Sequence, residues 1–233
     1  GNVPFTDVCD PYEAREQVPE ILIGPSGLEA KLLGLIEQSH SRVDVMMYQL
    51  SRPSFINALV AAHQRGVVVR VLLDPDQSVN GNAFTQLGAA GIDVRQAPSN
   101  FEHAHAKIIF VDDVAAAIMS ANLNAYSMVS ERNYGVINRD PADLDDLARI
   151  FEADFAGQPS PSLDCTRLVV SPENAKQRLL DFIENAEKNL DLAVMYLSDK
   201  QVKSAVIARA QAGVAVRVLL ADPAWISSNV GTA

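Results

Sequence analysis

The residues of this chain that could do chemistry are concentrated in one short stretch, "HAHAKIIFVDD", which runs from His103 to Asp113. In an extended segment alternate side chains share a face, so His103, His105 and Lys107 are predicted to point to the same side. A neutral imidazole can act as a nucleophile or as a proton donor near neutral pH, and a lysine can stabilise negative charge on a reacting group. The row is therefore either the polar start of a buried strand or the working end of an enzyme.

The surrounding residues resemble a known signature. The string "HAKIIFVD", which starts at His105, is followed after six residues by "MSAN", which starts at Met119. This spacing resembles the H-x-K-x4-D-x6-G-S-x-N signature of the phospholipase D superfamily, and the resemblance extends over the chain from Ile21 onward. H-x-K-x4-D alone is a weak signal, whereas its combination with S-x-N and an internal repeat is strong.

The resemblance implies a mechanism and a set of site residues. In the enzymes of this superfamily two copies of the motif meet at a pseudo-twofold interface. One histidine forms a phosphohistidine intermediate, the other protonates the leaving alcohol, and no metal or other cofactor is required. Asp112 is expected either to act in catalysis or, as we favour, to support a turn, and His103 matches no position of the signature. The implied residues are His105, Lys107 and Asp112 as catalytic groups and Ser120 and Asn122 as phosphate ligands.

Two features depart from the superfamily pattern. Met119 occupies the position where the signature usually has glycine, which affects how closely backbone and substrate can approach. Asn133 stands two residues before Gly135, where a glutamate that orients a histidine is common. Glu131 is the nearest acidic residue and is the candidate for that orienting role.

The elements that must hold these residues are repeated along the chain. The segment from Pro25 to Leu73 aligns without a gap with the segment from Pro172 to Leu220, at a constant offset of 172 − 25 = 147, and 18 of the 49 positions are identical. Each copy is predicted to fold as helix, strand, helix and strand, which indicates an α/β layered domain. We therefore expect a phospholipase D-like α/β sandwich, a mixed sheet flanked by helices, that is duplicated about a pseudo-twofold axis.

The first copy continues beyond the repeated segment, and a Pro/Ser-rich linker follows it. The predicted elements of this continuation are a helix at 83–87, strands at 92–94, 106–111, 114–120 and 134–137, and a helix at 141–155. The predicted organisation is an N-terminal arm at 1–20, a first repeat at 21–156, a linker at 157–165 and the first half of a second repeat at 166–233.

The second copy ends in "ADPAWISSNVGTA", before a counterpart of His105 could occur. That counterpart projects to position 105 + 147 = 252. Hydrophobic strands without neighbours would leave an edge that is prone to aggregate. We therefore expect a second polypeptide segment with its own H-x-K motif to complete the site, either because the protein has been cut in a loop or because the sequence is a fragment.

Composition and charge restrict the partners. A net charge of −10 argues against tight binding to a nucleic-acid backbone, and no apolar run reaches the 18 residues of a membrane span. Two cysteines and four scattered histidines make a poor set of metal ligands, so no metal is expected. Cys9 and Cys165 are either unrelated thiols or a disulfide, and a disulfide would indicate an oxidising, extracytoplasmic or secreted location.

The function predicted from these observations is hydrolysis or transfer of a phosphodiester through a phosphohistidine. Phospholipids are the favoured substrate, which would bring the protein into contact with a membrane surface. The first alternative is a nuclease of the same superfamily that acts on DNA or RNA. The second is a catalytically silent binding protein on the same fold, which is suggested by Met119, Asn133 and the single motif.

Overall fold

The computed structural model describes residues 10–230, which form two compact units that divide between Arg167 and Leu168. This division lies close to the predicted start of the second repeat at residue 166. Within the described range no helix combines the length and the apolar character that crossing a membrane would require. Cys9 lies outside the described residues, so its pairing with Cys165 stays a prediction.

The first unit is built on a seven-stranded mixed sheet with the strand order β1-β7-β6-β5-β2-β3-β4. Strands β2, β3 and β4 run parallel, and the remaining neighbours pair antiparallel. The strands are β1 (Glu20–Ile23), β2 (Arg42–Met47), β3 (Val68–Leu73), β4 (Asp93–Gln96), β5 (Lys107–Val111), β6 (Ala115–Met119) and β7 (Tyr134–Asn138). The helices are α1 (Leu28–Glu37), α2 (Pro53–Gln64), α3 (Gly81–Ala89), α4 (Ala125–Val129) and α5 (Pro141–Ala156), with a 3₁₀ turn at Ser78–Asn80.

Both faces of the central strands are covered, which explains why their sequences are almost continuously apolar. One face of β2 and β3 carries Val45 and Val71 into the core that includes residues of α1, α2 and α3. The opposite face carries Met46 and Leu72 against Phe151 of α5. The sheet is therefore the middle layer of a mixed α/β domain, as the sequence predicts.

The second unit contains β8 (Asn189–Val194) and β9 (Ala215–Leu220), which pair in parallel, together with α6 (Ala175–Glu184), α7 (Lys200–Gln211) and a 3₁₀ turn at Ser227–Asn229. The first and last residues of α6, β8, α7 and β9 each lie 147 positions after those of α1, β2, α2 and β3. The offset found in the sequence therefore also relates the bounds of the folded elements.

Individual side-chain contacts within the first unit recur at the corresponding positions within the second unit. Arg70 binds both carboxylate oxygens of Asp44 at 2.7 Å, and Arg217 binds those of Asp191 at 2.7 and 2.6 Å. The surroundings differ, because Arg70 lies partly buried against α5 whereas the Arg217 side chain is 83% exposed. The ion pair therefore depends on the repeated segment and not on a covering helix.

A buried asparagine extends this correspondence past the aligned segment. The Nδ2 atom of Asn80 donates to the backbone oxygens of Tyr48 and Asp74, both at 3.0 Å. Asn229 donates in the same way to the two carbonyl oxygens that stand 147 residues further along, at 3.0 and 2.8 Å. Since 229 − 80 = 149, the loop after β9 is two residues longer than the loop after β3 but is fastened by the same contact.

Candidate active site at one edge of the seven-stranded sheet

The register of the sheet brings the predicted site residues to one edge. Lys107, the first residue of β5, pairs with Met47 at the carboxyl end of β2, and Ile108 pairs with Ile118 near the carboxyl end of β6. Met119 in turn pairs with Gly135 near the start of β7. The segments that precede β5 and β7 and those that follow β2 and β6 therefore meet at the same edge.

Lys107 is a buried lysine that lies directly beside His105. Its side chain is almost fully enclosed, at 6% relative exposure, and its Nζ donates to the His105 backbone oxygen at 2.8 Å. Within residues 10–230 no carboxylate forms an ion pair with this ammonium. The His105 side chain reaches solvent. A positive charge that no carboxylate binds directly and that lies next to an accessible imidazole is suited to bind an anionic substrate group.

Both groups have pKa values that depart from their ordinary range. Burial lowers the pKa of Lys107 to about 8, although the nearby charge of Asp74 opposes the shift. Partial burial, followed by the charges of Lys107 and His103, also lowers the pKa of His105 below its usual value, with Asp74 again opposing. At neutral pH His105 is therefore mainly the neutral imidazole that nucleophilic attack requires, while Lys107 remains mainly charged.

Asp74 follows β3 at the same edge and holds the segment in front of His105. Its buried carboxylate accepts hydrogen bonds from the backbone N–H of Ala104 at 2.8 Å and of Asp76 at 3.0 Å. The sequence analysis did not identify this residue. The available signal was its position immediately after the apolar strand that ends at Leu73, since polar residues at the carboxyl ends of parallel strands gather at one edge.

Tyr48 is a second residue that the sequence analysis missed. It follows β2, and its backbone N–H donates to the Ala106 oxygen at 3.1 Å. Its ring centroid lies 4.5 Å from that of His105, and the Lys107 Nζ lies 5.0 Å from the centre of the same ring. The ring therefore contacts both predicted reacting side chains.

The predicted phosphate ligand Ser120 is already engaged in hydrogen bonds. Its hydroxyl donates to Asn133 Oδ1 at 2.8 Å and accepts from the Tyr134 N–H at 3.0 Å. Asn133 is buried, and its Nδ2 has no hydrogen-bond partner among the described residues. The asparagine that stands in the usual glutamate position thus holds Ser120, and direct binding of phosphate by Ser120 stays a prediction.

The second predicted phosphate ligand, Asn122, has an unsatisfied side-chain oxygen. Its backbone N–H donates to Ser127 Oγ at 3.2 Å, whereas its buried Oδ1 has no hydrogen-bond partner in the part of the chain that the structure describes. Ser127 Oγ donates in turn to the Glu131 carboxylate at 2.7 Å. Glu131 therefore supports the loop that carries Asn122, and within residues 10–230 it forms no hydrogen bond or ion pair with a histidine.

The substitution of methionine for glycine at position 119 is accommodated by the neighbouring strand. Gly135 lies opposite Met119, and a Cβ atom at Gly135 would fall 2.6 Å from the Met119 Cβ and 2.8 Å from the Ile118 oxygen. No side chain larger than hydrogen fits there without movement of the backbone. Gly135 therefore leaves the room that the Met119 side chain takes up, and β6 and β7 still pair at the site edge.

Asp112 lies at the opposite end of β5 from Lys107, so the structure does not bring it into the site. Its carboxylate accepts hydrogen bonds at 2.8 Å from the backbone N–H groups of His40, Ser41 and Arg42 and from the Ser41 hydroxyl. Although partial burial acts in the other direction, these donors lower the pKa of Asp112 to about 2. Asp112 and Asp113 both have positive φ angles, of 53° and 58°, in the turn between β5 and β6. The geometry agrees with the structural interpretation of Asp112 and not with direct catalysis.

Comparison with known proteins gives one family and several relatives. Residues 32–155 match the family described as "Cardiolipin synthase, PLD-like domain", a range that contains every predicted site residue. A curated relative, the mitochondrial cardiolipin hydrolase of Danio rerio, is 28% identical over 135 residues, which cover 56% of this chain and 58% of that protein. The chain therefore spans somewhat more than half of the relative's length.

Solved structures show the same architecture. Nuc from Salmonella typhimurium, a phospholipase D family member, superposes with a TM-score of 0.55 at 25% identity over 62% of this chain and 99% of that chain. The phosphatidylserine synthase of Haemophilus influenzae superposes with a TM-score of 0.66 over 86% of this chain and 61% of that chain, but at 12% identity. The second likeness concerns the fold alone.

Proposed function

This chain belongs to the phospholipase D superfamily, and on that premise we propose that it cleaves phosphodiester bonds of phospholipids through a phosphohistidine intermediate. The observation that carries the proposal is the buried Lys107 ammonium, which adjoins an accessible His105 and has no carboxylate partner within residues 10–230. A buried cation is costly unless a counter-charge binds to it. A phosphodiester supplies that counter-charge at the position where an imidazole can attack.

The proposed reaction assigns a role to each group. An imidazole nitrogen attacks phosphorus, the bond from phosphorus to the leaving alkoxide breaks, and a second imidazole gives its proton to that alkoxide. Water or an alcohol then attacks phosphorus and gives its proton to the second imidazole, the phosphorus–nitrogen bond breaks, and both imidazoles are restored. Lys107 stabilises the charge on the phosphoryl oxygens. Asn122, whose side-chain oxygen is unsatisfied, is the better candidate for a further contact, because the Ser120 hydroxyl is already bonded to Asn133.

The second imidazole must come from outside this chain's own motif. His105 and Lys107 form the single H-x-K in the 233 residues. We propose that a second polypeptide segment with another H-x-K motif faces the edge described above. Mass spectrometry of the purified protein under native and denaturing conditions tests this, and a protein that turns over substrate as a single copy of these 233 residues would contradict it.

Three observations favour phospholipids over nucleic acid. The curated relative is a cardiolipin hydrolase by name, and the family description refers to cardiolipin synthase. The net charge of −10 opposes non-specific attraction to a polyanion, which a nuclease would exploit. The identity to the relative is modest, so a nuclease remains the second candidate.

The test compares two substrates under one set of conditions. Vesicles that contain cardiolipin and phosphatidylcholine are incubated with the protein in parallel with single-stranded DNA, and head-group or phosphatidate release is measured beside DNA shortening. The His105→Ala variant serves as the blank. Lipid turnover that the variant lacks supports the proposal, and DNA cleavage without lipid turnover overturns its substrate assignment. Binding of either substrate without turnover would instead identify the silent binding protein.

We also propose an extracytoplasmic location, which rests on the predicted bridge between Cys9 and Cys165. Intact-mass measurement before and after reduction tests the bridge, because reduction of a disulfide adds two hydrogens. Two free thiols in protein purified without reductant would contradict this location.

A further inference from the structure

The feature that the proposed reaction leaves without an assignment is Tyr48. Its half-buried ring contacts the His105 imidazole with 4.5 Å between centroids and 60° between planes. The Lys107 Nζ lies 5.0 Å from the centre of the same ring, within the range of a cation–π contact. One aromatic side chain thus touches both reacting groups.

The Tyr48 ring is itself held by a chain of hydrogen bonds. Gln77 Nε2 donates to the Tyr48 hydroxyl, Gln49 Nε2 donates to Gln77 Oε1, and Asn124 Nδ2 donates to Gln49 Oε1, each at 2.8 Å. Asn124 also caps α4 by accepting from the Ser127 N–H at 2.9 Å. The chain therefore ties the ring to the loop that carries Asn122, and the ring has little freedom to rotate away from His105.

The His105 imidazole has no comparable restraint of its own. Among residues 10–230 no group forms a hydrogen bond to either of its ring nitrogens. Glu131, the acidic residue nearest in sequence to the usual orienting position, binds Ser127 instead. The imidazole makes its ring contact with Tyr48, and the centroid of the Tyr48 ring lies farther from that of His103, at 6.0 Å.

We propose that Tyr48 is the positioning residue of this site, which fixes the His105 imidazole by ring contact and keeps it beside the Lys107 ammonium. The inference rests on the proposed function, because it concerns the same two reacting groups. A nucleophile must be held close to its in-line position for rapid attack, and a freely rotating imidazole would spend most of its time elsewhere. The Tyr48 hydroxyl contributes to this positioning as well as the ring, because its hydrogen bond from Gln77 holds the ring in place.

Two variants test this role: Tyr48→Leu removes the ring, and Tyr48→Phe removes only the hydroxyl that accepts a hydrogen bond from Gln77. Tyr12→Leu is the control, at an exposed tyrosine in the N-terminal segment. We expect Tyr48→Leu to lower kcat about tenfold to a hundredfold and to change KM little, because position is lost and not binding. Tyr48→Phe should lose less, and Tyr12→Leu should match the wild type.

A second readout is independent of turnover. The groups that face His105 are Lys107, His103 and Asp74, and all of them remain in the variants. Removal of the Tyr48 ring admits water to the imidazole, so the pKa of His105, followed by NMR titration, should rise toward its ordinary value in Tyr48→Leu and much less in Tyr48→Phe. Wild-type kcat together with an unchanged His105 titration in Tyr48→Leu would overturn the proposal, and Tyr48→Phe supplies the same comparison if the leucine variant does not fold. Absence of phosphodiesterase activity in the wild-type protein would contradict the proposed function. The NMR titration of His105 in the variants would still decide whether Tyr48 holds the imidazole.

Discussion

The two ends of strand β5 carry residues of the same signature, but their charged side chains differ in how completely they are paired by neighbouring groups. At the start of the strand the Lys107 ammonium is buried, and within residues 10–230 no carboxylate forms an ion pair with it and no group forms a hydrogen bond to the imidazole next to it. At the other end the Asp112 carboxylate accepts four hydrogen bonds from residues 40–42. Buried polar groups are normally paired, so an unpaired charge indicates a ligand site and a fully paired one indicates support.

This difference shows that the residues of one sequence signature need not all have the same role. Four residues of extended strand separate the motif lysine from the motif aspartate, so Asp112 cannot contact a group held at Lys107. What Asp112 does hold is the start of β2, the strand that leads to Tyr48 at the site edge. Its contribution to the site is therefore transmitted through the register of β2 against β5.

The largest expected effect at the reactive end comes from Lys107→Met. Loss of the ammonium should lower kcat/KM by about 10²–10³-fold, as for other groups that stabilise transition-state charge. The melting temperature should not fall, because the variant removes an unpaired buried charge. Lys107→Arg, the matched control, should restore part of the activity, and an active Lys107→Met enzyme would contradict the assignment.

The largest effect at the supporting end concerns stability. Asp112→Asn loses charge-assisted hydrogen bonds to three backbone N–H groups and should lower the free energy of unfolding by about 2 kcal/mol. Asp113→Asn is a matched control at the next position, which also has a positive φ and forms an exposed pair with Arg42. Denaturant unfolding should show a clear loss for Asp112→Asn and little for Asp113→Asn, with kcat/KM near the wild-type value in both. A large loss of kcat/KM in folded Asp112→Asn would assign this residue to the chemistry.

The smallest expected effect is that activity, which depends on Lys107, and stability, which depends on Asp112, change in different pH ranges. Activity should decline as the pH rises through about 8, the pKa to which burial lowers Lys107, because the neutral amine no longer stabilises the phosphoryl group. The folded-state pKa of Asp112 lies near 2, below its ordinary 3.8, so its stabilisation is present above pH 3.8 and is lost as the pH falls toward 2. Rate and unfolding profiles should therefore change in different pH ranges. An alkaline limb that persists unchanged in Lys107→Arg would contradict the assignment of that limb to Lys107.

The main elements and the adjacency of His105 and Lys107 could be predicted from the sequence, because both follow from local pattern. Apolar runs with caps define β2, β3 and α2, and the alternation at 103–107 places His105 and Lys107 together. Strand β1 and helix α4 were missed, since four and five residues are too few to show a period, and α4 depends on the Asn124 cap.

The rest of the site depends on contacts between distant segments, which no local pattern records. Tyr48 reaches His105 only because β2 and β5 pair antiparallel in one register. Glu131 was a candidate to orient a histidine, but it lies against Ser127 because α4 intervenes. The accommodation of Met119 by Gly135 likewise becomes visible only when β6 and β7 are paired.

The central claim, that the His105 end of β5 is the reacting end, is tested most directly by two neighbouring histidines. Phospholipid head-group release at neutral pH is measured for the wild type, His105→Ala and His103→Ala, after circular dichroism has shown that all three are folded. The predicted result is turnover by the wild type and by His103→Ala, with His105→Ala at the level of the blank. Substantial turnover by folded His105→Ala would contradict the account.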